Sequence, residues 1–382
     1  MNPGRIRPTW VEVDLDAIAA NVQTLKACAP NSMLMAVVKA NAYGHGVVQV
    51  AKAAVQAGAE WLGVASVEEG MELRRAGITT PCLILGHVQP GQADNTLLYD
   101  LRPTVYQMEV VQECSKWARA YRRKMALHVK VDTGMGRVGL PPEQVVAFIK
   151  QVNSLPMLEV EGLFTHFAVA DEPENPMTGA QISRYNQVLA DLEAEGIQIP
   201  IRHTCNSAGI MIHPSGHYDM VRAGIAMYGM PPDPQVKWPV ELKPALTWKT
   251  RISFLKEVEA GAPLSYGGTY RPTERERIAV LPVGYADGLS RNLSNRGVLL
   301  VNDHPCPIVG RVCMDQTLIR IPDGVEAQVG DDVIIIGPGQ PAHALAQMLG
   351  TINYEIVCDI GPRVPRFYRR GDEWIKEERR PG

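Results

Sequence analysis

Eight short apolar runs separated by helical patterns constrain this 382-residue chain more than any other feature of it. They are MLMAVVK (33–39), WLGVAS (61–66), CLILGH (82–87), LRPTVY (101–106), LHVKVDTG (127–134), VEGLFTH (160–166), IRHTCNS (201–207) and YDMVRAG (218–224). A continuous apolar run, unlike an alternating one, predicts a strand covered on both faces, as in a parallel sheet. Between most of them lie helical spacings, among them VVQVAKAAVQAG (47–58), VEEGMELRRAG (67–77) and GAQISRYNQVLADLEAEG (179–196). Upstream, DLDAIAANVQTLKACA also has helical spacing and opens on acidic residues that suit a helix N-terminus. Eight strands alternating with helices predict a (β/α)8 TIM-type barrel, the usual size of which is roughly 250 residues. An open doubly wound sheet with extra strands is the rival; the count of eight favours the barrel.

Past residue 240 the texture changes. LTWKTRISFLKEVEAG, RERIAVLPVG, GVLLVNDHPCPIVGRVCMDQTLIRI and DDVIIIG are β-rich and broken by Gly, Pro, Asn and Asp; only PAHALAQMLG (341–350) reads as helix. The expected organisation is a barrel over 1–240 and a mostly antiparallel β-domain over 241–382, divided near the proline-rich KWPVELKP.

Composition narrows the function classes. With 38 Lys+Arg against 41 Asp+Glu, the formal charge of −3 gives no reason to expect nucleic acid or anionic lipid as a partner. No stretch approaches the ~20 apolar residues that cross a bilayer. The N-terminus, MNPGRIRPTWVEVD, lacks the apolar segment of a signal peptide. Seven cysteines scattered without a CxxC pair argue against disulfides or structural zinc and fit a reducing cytoplasm.

In a barrel, chemistry sits at the C-terminal ends of the strands, and polar residues gather there. The first run ends in Lys39, before the loop ANAYGHG; the fifth carries Lys130 and Asp132 and leads to Arg137 in TGMGRVG. The sixth ends in Thr165 and His166, the seventh in Asn206 and Ser207, the eighth in Arg222, Ala223 and Gly224. A lysine closing an apolar strand can simply snorkel its ammonium to water. Desolvated, it becomes instead a nucleophilic amine able to join an aldehyde such as pyridoxal 5′-phosphate (PLP). That cofactor needs phosphate donors, a partner for its ring nitrogen and proton-transfer groups. Asn206–Gly209 and Gly224–Ile225 offer a hydroxyl and backbone N–H groups in the loops after strands seven and eight, where barrels tend to bind phosphate. Plain βα turns are the bland alternative. Arg222 could face the ring nitrogen or sit in an ion pair.

VVKANAYGHG, KVDTGMGRVG, FTHFAVAD, CNSAG, VRAGIAMYG, SYGGTY, VGYADG, GRVCMDQ, YEIVC and RVPRFY, in this order, resemble the bacterial alanine racemases over essentially the whole chain. The resemblance implies a fold-type III PLP enzyme of the cytoplasm: a barrel, a C-terminal β-domain and a head-to-tail homodimer interconverting L- and D-alanine for peptidoglycan. It implies Lys39 as the residue joined to PLP and as one base, and Tyr266 as the second base, supported by His166 through Arg222. Arg222 resembles the partner of the ring nitrogen; Tyr43, Ser207, Gly224, Ile225 and Tyr354 resemble the phosphate contacts. Arg137 resembles the residue that holds the phenolic oxygen of PLP and orients the substrate carboxylate. Met314 resembles a backbone donor to that carboxylate supplied by the other subunit. Lys130 matches a lysine carbamylated in many members, and Tyr285 and Tyr354 resemble the pair narrowing the entrance. No metal is implied.

Two other functions remain to be weighed. A non-catalytic PLP carrier resembles the barrel alone and leaves the β-domain unexplained. A PLP decarboxylase of similar architecture would pair the ring nitrogen with a carboxylate rather than Arg222. Serine is expected to turn over slowly, since one extra hydroxyl is poorly rejected by a small pocket. His45, Cys313, Cys358 and Asp359 read as structural, and Arg370–Arg380 as a solvated surface run.

Overall fold

The computed structural model describes residues 7–376, which form two compact units. One takes Ala17–Ala42 and Val47–Lys243; the other takes the segment through Asp16, Tyr43–Gly46 and the chain from Pro244 onward. The chain opens with β1 (Thr9–Asp14), a strand of the second unit.

The first unit is the barrel. Its strands are β2 (Met33–Val37), β3 (Trp61–Val64), β4 (Cys82–Ile84), β5 (Arg102–Val105), β6 (Met125–Lys130), β7 (Leu158–Phe164), β8 (Ile201–His203) and β9 (Met220–Ala223). They close in sequence order, and β9 pairs in parallel with β2. Each apolar run of the sequence supplies one strand, and the open-sheet alternative is excluded. The helices between them carry ordinary end signals. In Val67–Arg75, for example, the Ser66 hydroxyl accepts from the Glu69 amide, with acids in the first turn and Arg74 and Arg75 in the last.

The second unit is built on β10 (Leu246–Arg251), β11 (Phe254–Val258), β12 (Glu276–Leu281), β13 (Val298–Val301), β14 (His304–Pro307), β15 (Thr317–Ile321), β16 (Asp332–Ile336), β17 (Arg366–Arg370) and β18 (Glu373–Lys376). A seven-stranded sheet runs β14-β13-β16-β10-β1-β17-β18, beside a three-stranded sheet β11-β12-β15. All pairs are antiparallel except β1 with β17.

Three features differ from the sequence expectation. Residues 7–16 do not belong with the barrel: β1 lies between β10 and β17, and Thr9 Oγ1 meets Thr250 Oγ1 at 2.8 Å. YEIVC lies on a second helix of this unit, Asn353–Cys358, beside the expected Ala342–Leu349. The tail is exposed over 370–374, as expected of a solvated surface run, yet it also forms the edge strand β18 over 373–376; residues 377–380 lie outside the described residues.

Candidate active site

Within the barrel unit, five loops bring the expected polar residues to the C-terminal ends of the strands. Lys39 follows β2 and starts a left-handed helical turn: Ala40, Asn41, Ala42 and Tyr43 have φ of 52–53°. Non-glycine residues avoid this region at a cost of roughly 1–2 kcal/mol each, so the turn persists only where it is held. Glu69 Oε1 accepts from the Ala40 amide at 2.7 Å, and Asn41 Oδ1 accepts from Val47 N at 2.8 Å. The loop after β6 is closed by Asp132, whose Oδ1 accepts from Gly134 N and Gly136 N at 2.9 and 3.1 Å. It carries Arg137 to the surface, while Lys130 stays buried with its Nζ 4.4 Å from the Phe164 ring centre. Lys130, Arg137 and His166 line one crevice.

Arg222, on β9, is the deepest of these cations. Its Nη1 donates to His203 Nδ1 at 3.0 Å. Its Nη2 donates to the carbonyls of Thr165 and Thr204 at 2.9 and 2.8 Å and to His166 Nδ1 at 3.1 Å. No carboxylate appears among these partners. Burial lowers the guanidinium to about 10, which still leaves it charged at neutral pH. His166 is driven well below an ordinary histidine by burial and then by Arg222, Lys130, Arg137 and Lys39. Four cations therefore act on one imidazole. Lys130 is likewise held far below an ordinary lysine, first by burial and then by Arg222 and Arg137, with Asp132 opposing.

The loops after β8 and β9 form a cluster of backbone donors around one hydroxyl. Ser207 Oγ accepts from Gly224 N at 2.9 Å and from Ala226 N at 3.3 Å, and Asn206 caps the short helix that begins at Ser207. Gly224 and Ile225 lead directly into the 3-10 turn Ile225–Tyr228.

The second unit gathers the remaining expected residues. Ser265, at φ 60°, donates its hydroxyl to Arg311 O at 2.7 Å and sets Tyr266 on the turn that follows. Tyr285 N and Ala286 N donate to the carbonyls of Cys313 and Met314 at 3.0 and 3.1 Å, so SYGGTY, VGYADG and GRVCMDQ converge. A Cβ on Gly284 would lie 2.3 Å from Cys313 O, which is why glycine precedes Tyr285. The rings of Tyr43 and Tyr354 stand 6.1 Å apart. Their turn is tied down by Arg366, which donates from Nε to Gly44 O at 3.0 Å and elsewhere to the carbonyls of Ile360, Gly361 and Val364. His45 has the loop role expected of it, its Nδ1 lying 2.8 Å from Tyr43 O.

Sequence reasoning missed Glu69, which holds the turn after Lys39, and two histidines inside the barrel, His128 and His203, which reach Arg222 from below. Neither histidine ends its apolar run, LHVKVDTG or IRHTCNS, so neither stands out among the polar residues that do. Among the described residues no helix is long and apolar enough to cross a membrane, and no group of His, Cys, Asp and Glu is arranged to hold a metal.

The family model described as "Alanine racemase, N-terminal domain" matches residues 13–232, and that described as "Alanine racemase, C-terminal domain" matches residues 245–368. The chain is 54% identical to the alanine racemase of Symbiobacterium thermophilum over 95% of its length and 97% of that protein's. Among solved structures, it is 41% identical to the alanine racemase of Bacillus anthracis with bound L-Ala-P, with a TM-score of 0.92 and coverage of 97% and 98%. It is 29% identical to that of Bartonella henselae with covalently bound pyridoxal phosphate, with a TM-score of 0.87 and coverage of 95% and 100%.

Proposed function

Since the chain belongs to the alanine racemase family, we propose that it interconverts L-alanine and D-alanine with PLP, supplying D-alanine for peptidoglycan. It is an isomerase, an amino-acid racemase. The observation that carries the cofactor is the donor set of the barrel mouth: Lys39, Lys130, Arg137 and Arg222 all act on His166, and backbone amides cluster at Ser207. Such a set suits an anionic molecule bearing a phosphate and a phenolate. The residues fit the group.

Lys39 would hold the aldehyde carbon, and Tyr43, Ser207, Gly224, Ile225 and Tyr354 the phosphate. Arg222 would face the ring nitrogen and Arg137 the phenolic oxygen. When bound, PLP supplies a carbonyl that joins an amine and an electron-withdrawing ring that acidifies the neighbouring Cα–H. Inverting a stereocentre needs a proton removed from one face and another returned to the opposite face. The Lys39 amine serves one face and the Tyr266 phenol the other. A phenol acts as a general acid or base where hydrogen bonding and positive charge favour its anion, which is what the shared site would have to supply to Tyr266. His166 is suited to help, because its Nδ1 is occupied as an acceptor by Arg222 and a neutral ring then carries its proton on Nε2. Arg222 only donates, so it leaves the ring nitrogen without a proton and weakens the electron sink. That disfavours transamination and the decarboxylase alternative.

Arg137, with the main chain of Met314 of the partner subunit, would orient the substrate carboxylate, while Tyr285 and Tyr354 would narrow the entrance. Lys130, whose ammonium is disfavoured by burial and by Arg222 and Arg137, is suited to add CO2 at Nζ of its amine form with release of a proton; the resulting carbamate anion would steady Arg137. The working form is a homodimer with shared sites in the cytoplasm, acting on alanine and not on nucleic acid or membrane.

Lys39→Ala tests this reading, because it removes the anchor and one base together. Racemisation from L-alanine and from D-alanine is expected to vanish, along with the absorbance of lysine-linked cofactor that borohydride bleaches in the parent protein. Turnover retained with that band intact would overturn the assignment.

A further inference from the structure

The interior of a (β/α)8 barrel is normally filled by branched apolar side chains, yet here two fully buried imidazoles cross it. His128 Nδ1 lies 2.9 Å from His203 Nε2. The outer nitrogens are also engaged: His203 Nδ1 with Arg222 Nη1 at 3.0 Å, His128 Nε2 with Glu161 Oε2 at 3.3 Å. Glu161 takes a further hydrogen bond from Arg102 Nε, also at 3.3 Å. With Asp100, Lys124 and Glu159, these two residues line a cavity of about 220 Å³. Asp100 and Lys124 precede β5 and β6, so the cavity lies at the end of the barrel opposite Lys39. The backbone is shaped for this line. The β6–β7 register slips between Leu127 and His128, leaving Glu161 as the extra residue. A Cβ on Gly162 would fall 2.3 Å from His128 Nδ1.

The protons in the line have one arrangement. A guanidinium has donors only, so His203 Nδ1 must accept. Burial holds both imidazoles below the usual histidine range, and Arg222 lowers them further, so each ring is neutral. A neutral His203 then carries its proton on Nε2 and donates it to His128 Nδ1. His128 in turn carries its proton on Nε2 and donates it to the carboxylate. Half-burial alone would raise Glu161, but its bonds to His128 and Arg102 outweigh that and keep it below the usual carboxylate range.

We propose that Glu161 is a positioning residue for Arg222: by accepting the last proton of this line it fixes both histidines in the Nε2–H form and holds a lone pair against the guanidinium. This rests on the reading of Arg222 as the partner of the ring nitrogen. A lone pair at His203 Nδ1 orients one arm of Arg222 without a carboxylate, so the arginine keeps its full charge and its plane. A donor at position 161 would reverse every bond and turn an N–H of His203 toward an N–H of Arg222.

The test uses holoenzyme with 15N-labelled histidine, read by NMR of the imidazole nitrogens and by steady-state kinetics with alanine. Glu161→Gln keeps an oxygen acceptor; it is expected to keep the parent 15N pattern and a kcat near the parent value. Glu161→Lys is expected to move the protons of His128 and His203 to Nδ1. It should also lower kcat about tenfold or more, the scale seen when orienting partners of functional histidines are lost, with KM little changed. If the lysine variant does not fold, Glu161→Leu carries the comparison with Glu161→Gln. Unchanged imidazole shifts in the lysine variant, or a leucine variant with the same kcat as Glu161→Gln, would overturn the proposal. So would shifted protons with an unchanged kcat. Failure of the underlying reading would appear separately, as Arg222→Leu racemising at the parent rate.

Discussion

His166 concentrates the electrostatics of the barrel mouth in one side chain. Burial and four neighbouring cations keep it neutral, as burial and Arg222 keep His203 and burial keeps His128. In the unfolded chain these rings titrate near the ordinary 6.5, so below that pH the unfolded state binds protons that the folded state refuses. Stability is therefore unaffected by them above about 6.5 and falls as the pH drops below it, by about 1.4 kcal/mol per pH unit for each ring fully displaced. Thermal unfolding between pH 7.5 and 5.5 checks this; His203→Gln should have a shallower acid slope than the parent, and an equal slope would count against it. Tyr266 gives the catalytic counterpart. Tyr266→Phe is expected to keep the absorbance of bound cofactor while losing most racemisation. Exchange of the substrate α-proton with solvent deuterium should persist from one enantiomer and collapse from the other; equal rates from both would remove Tyr266 as a face-specific base. Most residues of the mouth were legible in the sequence because polar groups ending apolar runs stand out. Glu161 and His128 were not, since one reads as a surface position and the other as a strand filler until Gly162 is seen to make room between them.

The left-handed turn after β2 is a run of backbone that non-glycine residues rarely adopt. Four non-glycine residues in a row, Ala40, Asn41, Ala42 and Tyr43, sit at φ of 52–53° before Gly44 continues the same hand. Gly44 cannot change: at φ +79° its Cβ would lie 2.0 Å from Val357 O. Ala40 is exposed and can. In an ordinary helix Ala→Gly costs about 1 kcal/mol. Here the left-handed penalty is relieved, so Ala40→Gly is expected to raise stability by roughly 0.5–1 kcal/mol, read by urea unfolding. A loss of the ordinary size would show that the turn is not strained. Nothing in ANAY signals this conformation, because the cause lies in Glu69 and Asn41 holding the backbone from either side. The eight barrel strands were legible for the opposite reason: strands covered on both faces need unbroken apolar runs. β1 escaped notice because TWVEVD is short and alternates, and its partners β10 and β17 lie more than 230 and 350 residues away in the register Thr9–Thr250 and Val11–Arg366.

At the scale of the whole molecule, the residues assigned to one reaction are divided between two units. Lys39, Lys130, Arg137, His166, Ser207 and Arg222 belong to the barrel, whereas Tyr266, Tyr285 and Met314 belong to the β-rich unit. In the single chain Tyr266 is 70% exposed, Met314 52% and Tyr285 42%. Three large apolar residues gathered in exposed loops suit a surface that another copy covers, which agrees with the proposed head-to-tail dimer. In the proposed two-fold pair, two equivalent sites would each take the lysine from one chain and the tyrosine from the other. The central claim is that Lys39 and Tyr266 work as opposed bases in such shared sites. Mixing Lys39→Ala chains with Tyr266→Phe chains, each inactive alone, tests it most directly. After random exchange about half the dimers are mixed, and each mixed dimer has one intact site and one doubly damaged site, so roughly a quarter of the parent activity should return. No recovery despite exchange proven by mass spectrometry would mean that each site is built within one chain, and would contradict the account.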